Sequence, residues 1–447
     1  MRLTIVGGGG FRVPLIYRAL SAGAFAGLVD EIALFDSDPR RAHAIERVVA
    51  DMPLPAGATR PRVIIEAALD AALTRAVVVF AAIRTGGAAG RVLDERVAIG
   101  HGLLGQETVG AGGISYALRT IPDMLAVADA MARICPGAWL INFTNPAGMV
   151  TEALQPVLGE RVIGICDSAS GLVRRAAAAS GVRLAEGSMV GVDYVGLNHL
   201  GWLRRLEYDG VDHLPALLKD PARLASFEEG RVFGAGFLAL LGSLPNEYLF
   251  YYYFHAEARR SLSSAAETRG EFLRGQQEEL YPELLSSAVP FRVWETARLS
   301  REEGYLAEAR GTDESRDEGD LTGGGYEQIA LMVMRAVLTD VPTELIVNVR
   351  NNGAIAQLPA DAVVELPARI SRTGAVPLAV APPSTHQLGL MAQIKGVEQD
   401  VVRAAVHRDR DSALRALSLH PLIDSAHVAR RVLTGYEEAF PELWRFW

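Results

Sequence analysis

The stretch "TIVGGGGFRVPLI", Thr4 to Ile16, decides the fold. It reads as the end of a β-strand, four consecutive glycines and the start of a helix. Glycines let a backbone approach a pyrophosphate, and a helix N-terminus offers N–H donors and a favourable dipole to an anion. Gly7, Gly8, Gly9, Gly10 and the following Phe11 are therefore candidate cofactor-binding residues. A strict G-x-G-x-x-G fingerprint would need glycine where Arg12 stands, so the match is imperfect. The next apolar run, "EIALFD", closes on Asp36, where an acid can accept hydrogen bonds from the adenosine ribose of NAD and disfavour a 2′-phosphate. "DSDP" would also serve as helix-capping chemistry, but its place after the second strand of an α/β pattern favours the dinucleotide reading.

The same alternation continues outward. "AVVVFAAI", "AWLINFT" and "RVIGICD" are near-continuous apolar runs, as expected of parallel strands buried on both faces. Between the strands lie Ala-rich stretches long enough for helical crossovers, such as "RRAHAIERVVADM" and "LRTIPDMLAVADAMARI". The pattern predicts an α/β fold with an N-terminal Rossmann-like doubly wound sheet. After about Met189 the character changes. "VGVDYVGLNHLGWLRRLEYDG" is strand-like and interrupted by glycine, closer to antiparallel sheet, and helical segments follow it. The acidic, Gly-rich stretch from Glu302 to Gly325 reads as a surface loop. Residues 1–190 are expected to form the NAD-binding domain, and 191–447 an α+β domain for substrate, metal and oligomerisation.

Composition narrows the function. The 447-residue chain carries a formal net charge of -9 without a Lys/Arg run, so nucleic acid and anionic membranes are excluded as partners. An anionic substrate must then be held by a few placed cations. No apolar stretch reaches the length of a membrane span. Cys135 and Cys166 could form one disulfide, but a secreted scaffold would usually carry more, so the expected location is the reducing cytoplasm.

Cys166 and Asp167 end the fifth apolar run, at the sheet edge where ligands sit in open α/β folds. Asn142 and Asn145, in "INFTNPAG", end the fourth at the same edge. Asn198 and His199 lie on a strand in "GLNHLGW". A Cys thiolate and a His imidazole together suit a divalent transition metal. From spacing alone, a satisfied structural histidine and a turn-forming Asn-Pro remain equal readings.

Taken in order, "GQETVGAGG", "INFTNPAGMVTEA", the cysteine of "GICD", "GLNHLGW", "LPNEYLFYYYF" and "VNVRNNGAIAQLPADAVVE" resemble glycoside hydrolase family 4. These are NAD- and divalent-metal-dependent glycosidases, and the tract "VRNNGAIAQLP" is most similar to the 6-phospho-β-glucosidase branch. The resemblance implies an architecture like that of the lactate and malate dehydrogenases, and a route that departs from the two-carboxylate scheme of most glycosidases. The sugar is transiently oxidised at C3, deprotonated at C2, loses its C1 substituent, gains water and is reduced again. Cys166 and His199 match the metal ligands, with Mn²⁺ the expected ion. Tyr248 matches the C2 base, and Arg269 the arginine that holds the 6-phosphate. Arg91, Glu107, Asn145 and Asn198 fall among residues that contact or order the sugar. By composition alone, Tyr251, Tyr252 and Tyr253 would be equal candidates for the base, and Arg269 a solvated helix residue. A homodimer or homotetramer is expected on the same ground.

One departure matters. After the metal cysteine the β branch carries Asn-Val-Pro, whereas this chain has Asp167, Ser168 and Ala169. The 6-phospho-α-glucosidases place an acid there, used on the leaving group, so Asp167 is a second catalytic candidate and leaves the α anomer as an alternative. A lactate/malate-type NAD dehydrogenase would explain the glycines and Asp36 but gives no role to Cys166, "GLNH" or "LPNEY". A nucleotide-sensing binding protein would bind NAD and hydrolyse nothing.

Overall fold

Four glycines in a row can pass between a strand and a helix only where the neighbouring chain is very close, and that is how the sheet begins. In this computed structural model, which describes residues 1–303, 325–339 and 341–444, strand β1 (Arg2–Val6) runs straight into the glycine turn. A Cβ on Gly7 would lie 2.5 Å from the carbonyl oxygen of Ala82, and its φ is +91°. A Cβ on Gly9 would lie 2.5 Å from Cβ of Arg41. The helix Val13–Ser21 follows with proline in its first turn, where no backbone donor is lost.

Five more parallel strands complete this half: β2 (Glu31–Phe35), β3 (Arg62–Ile65), β4 (Ala76–Ala81), β5 (Trp139–Asn142) and β6 (Val162–Gly164). Their spatial order, β6-β5-β4-β1-β2-β3, is the doubly wound order of dinucleotide-binding sheets. Helices cover both faces. Apolar residues of Val13–Ser21, Pro39–Ala50 and Tyr326–Leu338 pack on one, and those of Gly110–Ile134, Ala147–Leu158 and Thr385–His407 on the other. The sequence reading passed over β3, a short, part-exposed edge strand whose apolar run is only "VII".

The antiparallel strands of the second half extend this same sheet. They are β7 (Val192–Leu197), β8 (Leu200–Tyr208), β9 (Val211–Asp212), β10 (Leu244–Pro245), β11 (Thr343–Arg350), β12 (Val363–Ser371) and β13 (Gly374–Pro377). The joins are narrow: β11 meets β6 where Asn348 faces Gly164, and β12 meets β7 where Glu365 faces Gly196. The expected antiparallel run is the β7–β8 hairpin, closed by the two residues Asn198 and His199. The acidic stretch expected as a loop lies outside the described residues except at its ends. Among the described residues, no helix is long and apolar enough to cross a membrane.

Candidate active site

The carboxyl ends of β1, β4, β5 and β6 open into one cavity of about 410 Å³. Its far wall comes from the second half of the chain. Of the sequence-predicted residues, Gly10, Phe11, Arg91, Glu107, Asn145, Cys166, Asp167, His199, Tyr248 and Arg269 all line it. Residues more than two hundred positions apart are thus brought to one place.

The nucleotide end is braced by backbone contacts. Asp36 accepts from the backbone N–H of Gly9 at 2.8 Å and from that of Asp38 at 3.0 Å. It therefore holds the glycine turn, and each oxygen keeps capacity for a further donor such as a ribose hydroxyl. Asp38, the next acid along, is the residue that caps the helix Pro39–Ala50. The Gly9 carbonyl accepts from the Tyr281 hydroxyl at 2.7 Å, and the Phe11 carbonyl from Trp294 Nε1 at 2.7 Å. Both donors come from second-half helices. Gly7, Gly8 and Gly9 lie behind the lining and shape the turn. Asp36 also stands outside it.

His199 and Tyr248 form the centre of the far wall. Their rings stack at 3.7 Å with planes 4° apart. His199 sits at φ 63°, a left-handed conformation that a side chain adopts only when surrounding contacts hold it. Tyr248 lies on the short turn Glu247–Leu249, capped by the buried Asn246, whose side-chain oxygen accepts from the Tyr248 N–H at 3.0 Å. Burial lowers the His199 imidazole to about 4, against the opposing pull of Asp167 and Glu107, so at neutral pH the ring is uncharged. Burial, with Glu365 and Asp167, pushes the Cys166 thiol well above its usual range. The Cys166 thiol is therefore protonated at neutral pH.

This donor pair fits a borderline-soft divalent ion. Among the described residues, no group of three or more His, Cys, Asp or Glu converges as a metal cage. Cys166 and His199 are the residues that would hold such a cation. Cys135 and Cys166 are both free and buried.

Cations gather on one side. Glu107 is half-buried between Arg84 and Arg91, with Arg91 Nη1 2.6 Å from Oε1. Burial would raise that carboxyl, but the two guanidiniums hold it below the usual range. Arg91 also donates to Glu95 at 2.7 Å, and Glu95 in turn accepts from the backbone of Gly270 at 2.8 Å. That second contact fixes the start of the helix Arg269–Ser286, where a Thr268–Glu271 capping box orders the turn carrying Arg269. Arg269 donates to the Arg301 carbonyl at 2.7 Å. Burial, together with Arg12, Arg269 and Arg41, lowers Arg301 to about 9, despite Tyr281. Its Nη2 is buried without a hydrogen-bond partner among the described residues. Such crowding of guanidiniums beside a glycine turn is relieved by an anion.

Asp167 is part-exposed and lies 3.7 Å from Arg12, the residue that takes the place of the third fingerprint glycine. Asn145 precedes a cis proline, and buried Asn142 braces that loop by accepting from the Thr144 N–H at 3.1 Å. Asn198 does not line the cavity. Its side chain accepts from the Ala147 N–H at 3.2 Å and donates to Glu365 at 3.4 Å, placing it behind His199.

The sequence reading missed several members. Arg84 follows β4 directly and could have been found from that position. Glu247, Ser168 and Arg175 also line the cavity. Glu247 is buried, its Oε2 lacks a partner among the described residues, and burial with Glu229 raises its carboxyl. No local pattern in "LPNEY" marks it apart from the tyrosine beside it.

Comparison with known proteins agrees with this geometry. Residues 2–182 match the model of the family 4 glycosyl hydrolases, and residues 194–423 that of the family 4 glycosyl hydrolase C-terminal domain. A probable 6-phospho-beta-glucosidase of Bacillus subtilis is 33% identical, over 82% of this chain and 80% of that protein. The structure of the 6-phospho-beta-glucosidase of Thermotoga maritima, solved with NAD and glucose-6-phosphate, superposes with a TM-score of 0.82 at 27% identity, covering 99% of both chains. A 6-phospho-alpha-glucosidase from gut microorganisms, solved with NAD and Mn²⁺, gives 0.78 at 26% identity, covering 99% of this chain and 98% of that one. The chain belongs to glycosyl hydrolase family 4.

Proposed function

We propose that this enzyme hydrolyses 6-phosphoglucosides, the β anomers first, using NAD and a divalent cation such as Mn²⁺. The observation that carries the reading is a single cavity joining a dinucleotide turn, a thiol–imidazole pair, a tyrosine and a bank of arginines. A lactate/malate-type dehydrogenase has no use for the last three together.

NAD, when bound, supplies a reversible hydride acceptor, and the cation a Lewis acid for sugar oxygens. The chain does the rest. The glycine turn, with Asp36 behind it, receives the dinucleotide. Cys166 and His199 hold the cation. Tyr248 takes the C2 proton, and its stacking on His199 fixes the phenol beside the cation-binding imidazole. Arg269 binds the 6-phosphate, with the Arg301 guanidinium near enough to share that charge. Arg91, Glu107 and Asn145 order the sugar, and Asn198 supports it from behind His199.

A second reading, for 6-phospho-α-glucosides, is favoured by Asp167. It lines the cavity next to Cys166, where a carboxyl can protonate a leaving oxygen. The division into residues 1–190 for NAD and 191–447 for substrate, a homodimeric or homotetrameric assembly and a cytoplasmic location belong to the same proposal. The two unpaired cysteines support a reducing compartment.

The test is release of nitrophenol from p-nitrophenyl 6-phospho-β- and 6-phospho-α-glucosides with NAD and Mn²⁺ under reducing conditions. Release from the β substrate, abolished by EDTA and leaving no net NADH, is expected. Release from neither substrate sinks the proposal, and release from the α substrate alone reverses the anomer.

A further inference from the structure

Glu365 is 1% exposed and sits on β12 where that strand meets β7. No lysine or arginine pairs with it among the described residues. Instead it accepts three neutral donors: the Tyr194 hydroxyl at 2.9 Å, the Asn348 side-chain amide at 3.2 Å and that of Asn198 at 3.4 Å. A carboxylate buried this way costs stability that an apolar side chain would not, so a fold that needed only packing would not require it.

The three donors explain the arrangement. Asn348 faces Gly164 at the other seam of the sheet, two residues before Cys166. A Cβ on Gly164 would come within 2.8 Å of Asn348 Cβ, so the two backbones are locked together. Asn198 is the first residue of the hairpin loop whose second residue is His199, and its oxygen is tied to Ala147. Tyr194, fully buried, anchors the strand that leads into that loop. One carboxyl thus grips the chain next to Cys166 through Asn348 and the chain next to His199 through Asn198.

We propose that Glu365 is a positioning residue for the cation site, setting the spacing of Cys166 and His199 through Asn348 and Asn198. This rests on the cation reading given above. Carboxylates in the layer behind metal ligands affect affinity by about 10–100-fold, and here the effect passes through two amides, Asn348 at the β11–β6 seam and Asn198 in the β7–β8 hairpin loop.

The experiment compares Mn²⁺ binding to wild type and Glu365→Gln, reading free Mn²⁺ by electron paramagnetic resonance, with NAD affinity measured on the same samples. Glutamine keeps the volume but turns one acceptor into a donor facing other donors. The expected result is Mn²⁺ affinity weaker by about 10–100-fold, with NAD affinity within about twofold of wild type, since the glycine turn is remote from β12. Unchanged Mn²⁺ affinity in a folded variant overturns the inference, as does an equal loss of NAD affinity, which would mark a general structural role. Should Glu365→Gln fail to fold, Tyr194→Phe removes one donor and keeps the carboxyl. A weaker, same-direction change supports the inference, and none overturns it. Wild type that binds no Mn²⁺ brings down the cation reading itself, and this inference with it.

Discussion

The two halves of the sheet differ in what surrounds their tightest points. In the parallel half, β1 pairs with β2 over five positions from Arg2 to Val6, and closeness comes from missing side chains at the glycine turn. In the antiparallel half, the seams are Asn348 against Gly164 and Glu365 against Gly196, and buried polar groups bridge what the ladder does not. The active site spans both: a backbone-shaped pocket for one ligand faces a wall of charges and amides for the other. Steric fit and buried charge fail differently when disturbed, which makes the contrast testable.

The largest effect is expected on the charged side. Arg175 donates through Nε and Nη2 to Glu229, whose side chain has no exposure, and Glu228 and Glu247 lie close by. Arg175→Met leaves those carboxyls without their cation and should cost about 3–5 kcal/mol in urea unfolding. A loss below about 1 kcal/mol would mean the carboxyls are neutral and the wall is not held by charge. On the steric side, Gly7→Ala forces a methyl toward the Ala82 carbonyl at φ +91°. It should cost about 1–3 kcal/mol and weaken NAD in a fluorescence titration by at least about tenfold. Full NAD affinity in that variant would show that the turn has room to move.

The same contrast decides what could be read from sequence. β1, β2, β4, β5 and β6 were legible because buried parallel strands are short apolar runs and their connections are local. The glycines were legible because nothing else tolerates their positions. The far wall is different. Cys166, His199, Tyr248 and Arg269 could be placed together only through resemblance to a family, since their proximity depends on pairings between segments far apart in the chain. Asn198 was expected at the substrate and lies one layer behind the cavity lining, to which the hairpin loop contributes only His199. Glu247 and Glu365 carried no local signal, whereas Arg84 stood just past β4. A buried glutamate and an exposed one are spelt alike until the strands beside them are known.

A pH measurement separates the halves next. His420 is buried in the second half, and burial, with His255, holds it down at about 3. Its Nδ1 accepts from the Leu422 N–H at 3.1 Å. An unfolded histidine takes up a proton near pH 6.5, whereas this one resists until about 3. Its contribution to stability is therefore complete above the unfolded value and is lost as pH falls toward the folded one, by at most about 1.4 kcal/mol per pH unit. Denaturation followed from pH 7 to pH 5 includes that slope beside the same-sign contribution of His199 and the opposing one of Glu365, and His420→Asn should remove the His420 share. An unchanged slope would assign the acid sensitivity to other groups.

The smallest expected effect is the most discriminating, because it lies where the halves touch. The Tyr281 hydroxyl donates to the Gly9 carbonyl at 2.7 Å and accepts from Arg41 at 2.9 Å. It is a second-half side chain gripping the first-half turn. Tyr281→Phe keeps the ring under the Arg41 guanidinium, 4.1 Å from its centroid, and Arg41 retains Gln277 at 3.0 Å. The bond to the turn and the one from Arg41 are both lost, at about 1 kcal/mol each, and NAD affinity falls about fivefold if the turn then loosens. If NAD affinity is unchanged while stability falls, the glycines alone set the turn, and the second half merely packs on a pocket already formed. If affinity falls with stability, the two halves build the cofactor site together, and the charged wall reaches the nucleotide through this hydroxyl.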